Sequence, residues 1–496
     1  MAVLSNKPNI LLKSSYCHDR VNSMNIPTQV LTYISSFFIA TAPAPTYTEG
    51  VVGQPSSFLP NQASTQTDKT ISRLIYRGLF KYDDSGALVP DLADNWKISD
   101  DGLVYSIKIK DNQYWSDGTK VNANDLIYTS FKTPDLAGIA TDKVDDLTVR
   151  FTLPNKFSPF LSLLSLGIMQ QNAEEKLSGL MPVSNGQFKV LRVEKSGPIV
   201  KQVELLNVSK TKSITKLTFR YYATDWELYT AARLGEIDGF MSSREFNLEN
   251  FSQYKLPVQS IYYALFFNLR NEKLKDVELR KKLEKVLPIN AIVSDIGIYV
   301  QGPISRSLYT DKNIQRDKYD PAFHDQISDL TLTLTVPDLP TQISVAEQVK
   351  IAWEEKLGIK VTINKIKPDK FNEQVIKPRD FEVLLYGQEV SRDPDRYINW
   401  HSTQKDPPGL NLSGFSQVRS DRALEEGRNE TDSDGRVIHY NEFQKVTADQ
   451  VPAIFLYHPY EKYYISQHIE NVTFVNTFNV YDRFSDFKNW KRVDYL

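Results

Sequence analysis

The chain has 496 residues and a net charge of −2, with 59 Lys and Arg against 61 Asp and Glu. Hydrophobic residues at 41 % and charged residues at 24 % are those of an ordinary folded protein, which excludes disordered, collagen-like and polytopic membrane chains. The near-neutral balance leaves no basic footprint for nucleic acid, and a single cysteine, Cys17, excludes an intrachain disulfide and a thiolate zinc site. At about 100–200 residues per domain, two or three domains are expected.

Residues 21–48 carry no charged side chain and follow Lys7, Lys13 and Arg20. A basic flank before an uncharged apolar run reads as an export signal or membrane anchor, so residues 1–46 are expected to be a leader. Pro43, directly after the Ala40-x-Ala42 pattern, disfavours cleavage there. Cys17 precedes the apolar run and does not resemble a lipid-attachment site.

Beyond Tyr47 the chain alternates strands and helices. GLVYSIKIK at 102–110 sets Tyr105, Ile107 and Ile109 on one face, a period of two. TVRFTLPN does the same with Val149, Phe151 and Leu153, and KLTFRYYA with Leu217, Phe219 and Tyr221. Turns are expected at 83–86, 99–102 and 115–118, each an Asp-rich run ending in Gly. The later half is α/β. SVAEQVKIAWEEKL at 344–357 places Val345, Val349, Ala352 and Trp353 on one helical face, with Gly358 just past its end. Strands are expected at IKVTI, RDFEVLLYG (379–387) and VPAIFLYHPY (451–460).

Catalytic chemistry leaves no mark. The six histidines form no HExxH or other short ligand spacing, and there is no GxxxxGK[ST], GxGxxG or GxSxG motif. The composition of a large globular chain with none of these favours a binding protein over an enzyme, with no cofactor and no metal.

The run from Leu74 to Thr129 is specific. Gly78, Leu79, Pro90, Leu92, Ala93, Trp96, Ser99, Asp101, Gly102, Tyr105, Trp115, Asp117, Gly118 and Asp125 stand in order. It closely resembles family 5 extracellular solute-binding proteins, the peptide-, oligopeptide- and nickel-binding components of ABC importers. PVSNGQFKV (182–190), LGEIDGF (234–240), ALFFNLRNEKLKDVELRKKL (264–283), LGIKVTI and DPDRYINWHS are similar to later landmarks, so the resemblance covers about residues 48–496. Three positions depart from the pattern: LPINAIV replaces an aspartate–arginine pair, Gln187 replaces a proline, and the loop GQEVSRDP lacks a tryptophan.

The resemblance implies an α/β, two-lobed periplasmic-binding-protein-like fold of type II, with an extra subdomain in the first lobe. Residues 47–80, 180–265 and 466–496 would form the first lobe, 81–179 the subdomain and 266–465 the second lobe. One hinge crossing would fall near Phe266–Asn268. It further implies capture of a peptide between the lobes, delivery to permease subunits, and an extracytoplasmic location, with the N-terminal segment a possible membrane anchor. A nickel chelate, an oligosaccharide, or a sensor or assembly role on the same scaffold are the alternatives. In peptide-binding relatives an aspartate in the loop before the Asp-Pro step pairs with the peptide amino terminus. Counting back from Pro394, that position holds Val390. A loop one residue shorter would give the role to Glu389, the first candidate here, with Asp393 the second. Tyr386, Gly387 and Gln388 of the same loop, and Ser64, Thr65 and Gln66 of the first lobe, are expected to face the ligand.

Overall fold

The computed structural model describes residues 45–493, apart from 177–178, 210–213, 306, 308, 312–317 and 475–476. The expected leader lies outside the described residues except for its last two positions, and Thr46 already opens the first strand. Among the described residues no helix is long and apolar enough to cross a membrane.

After strand β1 (Thr46–Val52), helix α1 (Gln66–Ile75) starts at a capping box. Asp68 N–H donates to Thr65 Oγ1 at 3.0 Å and Thr65 N–H to Asp68 Oδ2 at 3.3 Å, which satisfies two otherwise orphaned donors. A four-stranded antiparallel sheet follows, built from β2 (Ala93–Ile98), β3 (Val104–Ile109), β4 (Ala140–Lys143) and β5 (Thr148–Thr152) in the order β2-β3-β5-β4. Its inner face carries Tyr105, Ile107, Ile109, Val149 and Phe151, all buried, as the period of two predicts. Gly86, Gly102 and Gly118 close the three expected turns with positive φ. The landmark residues Trp115 and Asp125 secure helix α2 (Ala123–Lys132). Trp115 Nε1 donates to Asp125 Oδ2 at 2.9 Å, and the same oxygen accepts from Asn122 N at 3.0 Å to complete a second capping box. These residues build scaffold.

The chain then forms β6 (Phe188–Ser196), β7 (Ile199–Asn207), β8 (Lys216–Tyr222), β9 (Gly239–Ser242) and β10 (Phe251–Pro257). The order is β6-β7-β8-β1-β9, with β1 parallel to both β8 and β9. Leu217, Phe219 and Tyr221 enter one core with Tyr47, Tyr105 and Phe151, so the small antiparallel sheet shares its interior with the larger one. The C-terminal segment seals that core. The rings of Phe484, Phe487 and Trp490 meet Tyr47 edge-on with centroids 6.1, 5.7 and 5.5 Å away.

The later half contributes β11 (Ile261–Phe267), β12 (Gly297–Tyr299), β13 (Thr331–Pro337), α3 (Pro340–Leu357), β14 (Lys360–Ile366), β15 (Val383–Glu389), α4 (Val418–Asn429), α5 (Ser433–Gln450) and β16 (Ala453–Ser466). β13, α3 and β14 form a parallel β-α-β unit. Val345, Val349 and Trp353 bury the expected face of α3, and Trp353 Nε1 donates to the Leu283 carbonyl at 2.9 Å. Gly358 caps the helix at φ 67°, and a Cβ there would come within 2.3 Å of Gln326 Oε1. Strand β11 is apolar on both faces because both are covered: Leu265 and Phe267 enter the core around Trp353, while Ala264 and Phe266 enter the one around Trp400 and Phe443.

One long strand joins the two halves. Residues 453–457 of β16 pair with β11, whereas residues 460–466 pair with β10, and β9 also lies along the second part. The other passage runs from β10 into β11 through Pro257–Ile261. The crossings therefore lie near Pro257–Ile261 and Tyr457–Tyr460 rather than at Phe266–Asn268. Phe266 sits in the middle of a sheet, paired to Leu384 and Ala453, because a strand apolar on both faces belongs inside.

Glu461 stands at this crossing, opposite Leu256, with no ion-pair partner among the described residues. Burial raises its carboxyl pKa. The folded state thus favours the protonated form. Its contribution is present below the unfolded value of about 4.3 and is lost as pH rises through the folded value. Glu461→Gln should raise Tm at pH 7 and change it little at pH 4. Equal calorimetric Tm values for variant and wild type at pH 7 would contradict this.

Candidate functional site

Beside the crossings lies a cavity of about 700 Å³ lined from both halves. The first half supplies Lys69, Ser72 and Arg73 from the cleft-facing side of α1, Tyr76 at its C-cap, Tyr82, and Phe478, Asn479, Tyr481 and Asp482. The second half supplies Glu389 at the end of β15 and Val390–Arg392 of the loop that follows. A second chamber of about 510 Å³ adjoins it, and Tyr82, Ser162, Val390, Arg392 and Phe478 border both. Volumes of about 300–1,000 Å³ are those of ordinary small-ligand sites.

Arg392 forms the partition. Its guanidinium lies 4.8 Å from the Tyr82 ring centroid and 5.1 Å from that of Phe478, and Nη2 donates to Asp482 Oδ2 at 3.1 Å. One side chain of the second half is thereby held by three of the first. Burial pushes the Arg392 pKa down, opposed by Asp482, and pushes the Tyr82 hydroxyl up to about 12.

The loop is braced from below. Asp393 and Arg436 of α5 form a buried two-pronged pair, with Arg436 Nη2 to Oδ1 at 2.8 Å and Nη1 to Oδ2 at 3.1 Å. Burial opposes the Arg436 charge, yet Asp393 outweighs it and raises the guanidinium pKa. Asp393 Oδ1 also accepts from Asp395 N at 2.9 Å. Asp395 in turn takes Arg428 Nη2 at 2.6 Å, and the Arg428 guanidinium lies 4.1 Å from the Tyr397 ring centroid. Val390 N donates to the Ser260 carbonyl at 2.8 Å, tying the loop to the crossing.

The expected site residues separate into three groups. Glu389 is exposed, lines the larger cavity and has no salt-bridge partner among the described residues. Asp393 borders the smaller chamber with its carboxylate committed to Arg436. The others do not line either cavity. Tyr386 stacks flat on Phe371 at 5.4 Å, inside the second half. Gln388 is buried, accepting from the Tyr262 hydroxyl and donating to the Leu410 carbonyl at 2.8 Å. Gly387 lies over Tyr263, whose ring a Cβ would meet at 2.9 Å. Ser64 is bonded to Ser56, Thr65 is the N-cap of α1 and Gln66 opens that helix. This helix faces the cleft one turn later, through Lys69, Ser72 and Arg73.

Backbone geometry adds a further feature. One edge of Gly387–Glu389 pairs with Tyr263–Ile261 of β11. The other edge of β15 is paired with β13 only at Val383 and Leu384, so among the described residues Gly387–Glu389 has no ladder partner on that side. Among the described residues no group of three or more His, Cys, Asp or Glu is placed to hold a metal ion.

The sequence reading missed Arg392, Arg396, Arg436, Tyr82 and Phe478. Arginines flanking the Asp-Pro step, SRDPDR, were a readable signal for the first two. Nothing local marks Arg436, 43 positions from its partner.

Two α/β halves joined by crossing strands, with a cleft beside the crossings, define a two-lobed solute-binding protein. Residues 87–408 match the family model for bacterial extracellular solute-binding proteins, family 5, middle region. The oligopeptide-binding protein AppA of Bacillus subtilis is 23 % identical over 467 residues, spanning 83 % of this chain and 85 % of AppA. The ABC transporter substrate-binding protein CtaP of Listeria monocytogenes has the same fold, with a TM-score of 0.75 at 20 % identity over 91 % of this chain and 100 % of CtaP. NikZ of Campylobacter jejuni, solved with Ni(L-His), has a TM-score of 0.66 at 23 % identity over 91 % and 100 % of the two chains. The chain belongs to the family 5 extracellular solute-binding proteins.

Proposed function

We propose that this protein captures peptides between its lobes outside the cytoplasmic membrane and hands them to the permease of an ABC importer. The observation that carries this reading is the cavity of about 700 Å³ built from both lobes beside their two crossings, where hinge closure would bury a solute. An extended peptide needs backbone partners, and Glu389, the end of β15 that reaches the cavity, has one edge without a ladder partner among the described residues, open to strand addition. Its amino group needs an opposite charge once shut from water, and Glu389 offers a carboxylate with no ion-pair partner among the described residues. The name of AppA, and its structure with a nonapeptide, support the same ligand class. On this reading residues 81–179 are an added subdomain of the first lobe, and the leader serves export or anchoring. No step of bond chemistry is involved.

Calorimetry with pooled di- to nonapeptides tests the reading, with a nickel–histidine complex and an oligosaccharide pool as the other arms. Peptide binding with a fall in radius of gyration by X-ray scattering is expected. Binding of only the nickel complex or the sugars would overturn it. Glu389→Gln should weaken a free-amine peptide by about ten- to a hundred-fold and leave its N-acetyl form unchanged. Equal losses for both forms would remove Glu389 from the anchor role.

A further inference from the structure

Besides the clasp at Arg392, the two halves touch at a second place. Residues 157–159 follow β5 in the first half and are anchored by Phe160. The Phe160 ring is buried edge-on against Tyr105 and Phe151, with centroids 4.8 and 5.3 Å away. Phe160 N donates to the Phe157 carbonyl at 3.1 Å, and Pro159 has a fixed φ, so the bend is held stiffly.

Its counterpart is the C-terminal end of α4 in the second half. The last carbonyls of a helix have no donor inside it. Here the opposite half supplies donors: Ser158 N to the Arg428 carbonyl at 2.8 Å and Ser158 Oγ to the Gly427 carbonyl at 3.3 Å. The Arg428 side chain completes the contact. Its guanidinium lies 5.4 Å from the Phe157 ring centroid, and Asp395 holds it from within the second half at 2.6 Å.

Ser158 belongs to the wall of the smaller chamber, as do Leu161 beyond it and Thr431 and Ser433 past the end of α4. The contact therefore joins the two halves at the margin of that chamber. Paired backbones lie only about 4.8 Å apart, so an amide and a carbonyl bonded across the halves leave no passage for a third chain. A peptide that ends inside the chambers lets the contact form. One that runs on past Ser158 holds the halves apart there, and forfeits both hydrogen bonds and the approach of Arg428 to Phe157.

We infer that Phe157, Ser158 and the last turn of α4 form a stop that limits the length of the bound peptide, so that the protein selects short peptides. The inference rests on the peptide reading and adds ligand length to it. The bond that closes the passage is between main chains, so the stop discriminates by length and not by the side chain at the ligand's end.

The test compares tripeptides and nonapeptides of matched composition by calorimetry. The wild-type protein should bind the tripeptides at least about tenfold tighter, the combined weight of the hydrogen bonds and ring contact that a long ligand forfeits. Ser158→Pro removes both the N–H and the hydroxyl, and Phe157→Ala removes only the ring beneath Arg428. The preference for tripeptides should narrow by about tenfold in the first and about threefold in the second, through weaker binding of the tripeptides. Nonapeptides bound by the wild type as tightly as tripeptides would overturn the stop and leave peptide capture standing. So would an undiminished preference in Phe157→Ala, which spares the backbone and decides the matter even where Ser158→Pro fails to fold. Binding of neither length would overturn peptide capture itself, and this inference with it.

Discussion

Replacing Arg483 by methionine should destabilise the first lobe by about 3–5 kcal/mol, the cost of leaving one member of a buried ion pair alone. Glu49 on β1 is 1 % exposed and Arg483 3 % exposed. Arg483 donates to Glu49 Oε1 through Nε at 3.2 Å and Nη2 at 3.0 Å, and Nη1 reaches Thr70 Oγ1 at 3.0 Å. The hydroxyls of Tyr47 and Tyr463 both serve Glu49 Oε2, at 2.9 and 2.8 Å. Thus one carboxylate ties β1, α1, the crossing strand β16 and the C-terminal segment together. The paired change Glu49→Leu with Arg483→Met should recover most of the loss. It removes both charges at once, and the two tyrosines retain each other at 2.8 Å. Calorimetric Tm values of the single and double variants decide the matter. A single variant with an unchanged Tm, or a double variant as weak as the single, would contradict it.

A second large effect is expected at the base of the cleft. Asp393→Asn should lower stability by about 3–5 kcal/mol, because Arg436 is buried and has no other carboxylate within salt-bridge distance among the described residues. The loop from Val390 to Arg396 also takes its course from this pair. Binding should therefore weaken for free-amine and N-acetylated peptides alike, together with a fall in Tm. Glu389→Gln should behave oppositely, with an unchanged Tm and a loss confined to free-amine peptides. The two carboxylates, the first and second candidates from the sequence, are thus separable by one pair of measurements. An Asp393→Asn variant with wild-type Tm and a selective loss of free-amine binding would make Asp393 the anchor instead.

Much of the scaffold could be read directly. The alternation in GLVYSIKIK and KLTFRYYA became the buried faces of β3 and β8, and the helical period of 344–357, with Gly358 behind it, became α3. The turn glycines, and the landmark pair Trp115 and Asp125, proved to be structural. Less could be read of the crossing. Both faces of β11 are apolar, and a continuous apolar strand does not show where it leaves one sheet for another; only its pairing with β15 and β16 does.

The site was legible in part. The loop before the Asp-Pro step borders the cleft, and Glu389 lines it. Of Ser64–Gln66, Thr65 is spent capping α1 and Ser64 is bonded to Ser56, and none of the three lines the cavity, whereas Lys69, Ser72 and Arg73 do. By itself the sequence determined the α/β class, the family landmarks and the periodic faces, since each depends on neighbours a few residues apart. Only the tertiary structure decided which charges compensate one another. Asp393 meets Arg436 across 43 positions and Glu49 meets Arg483 across 434. The desolvation that makes such pairs obligatory exists only once the chain has closed around them.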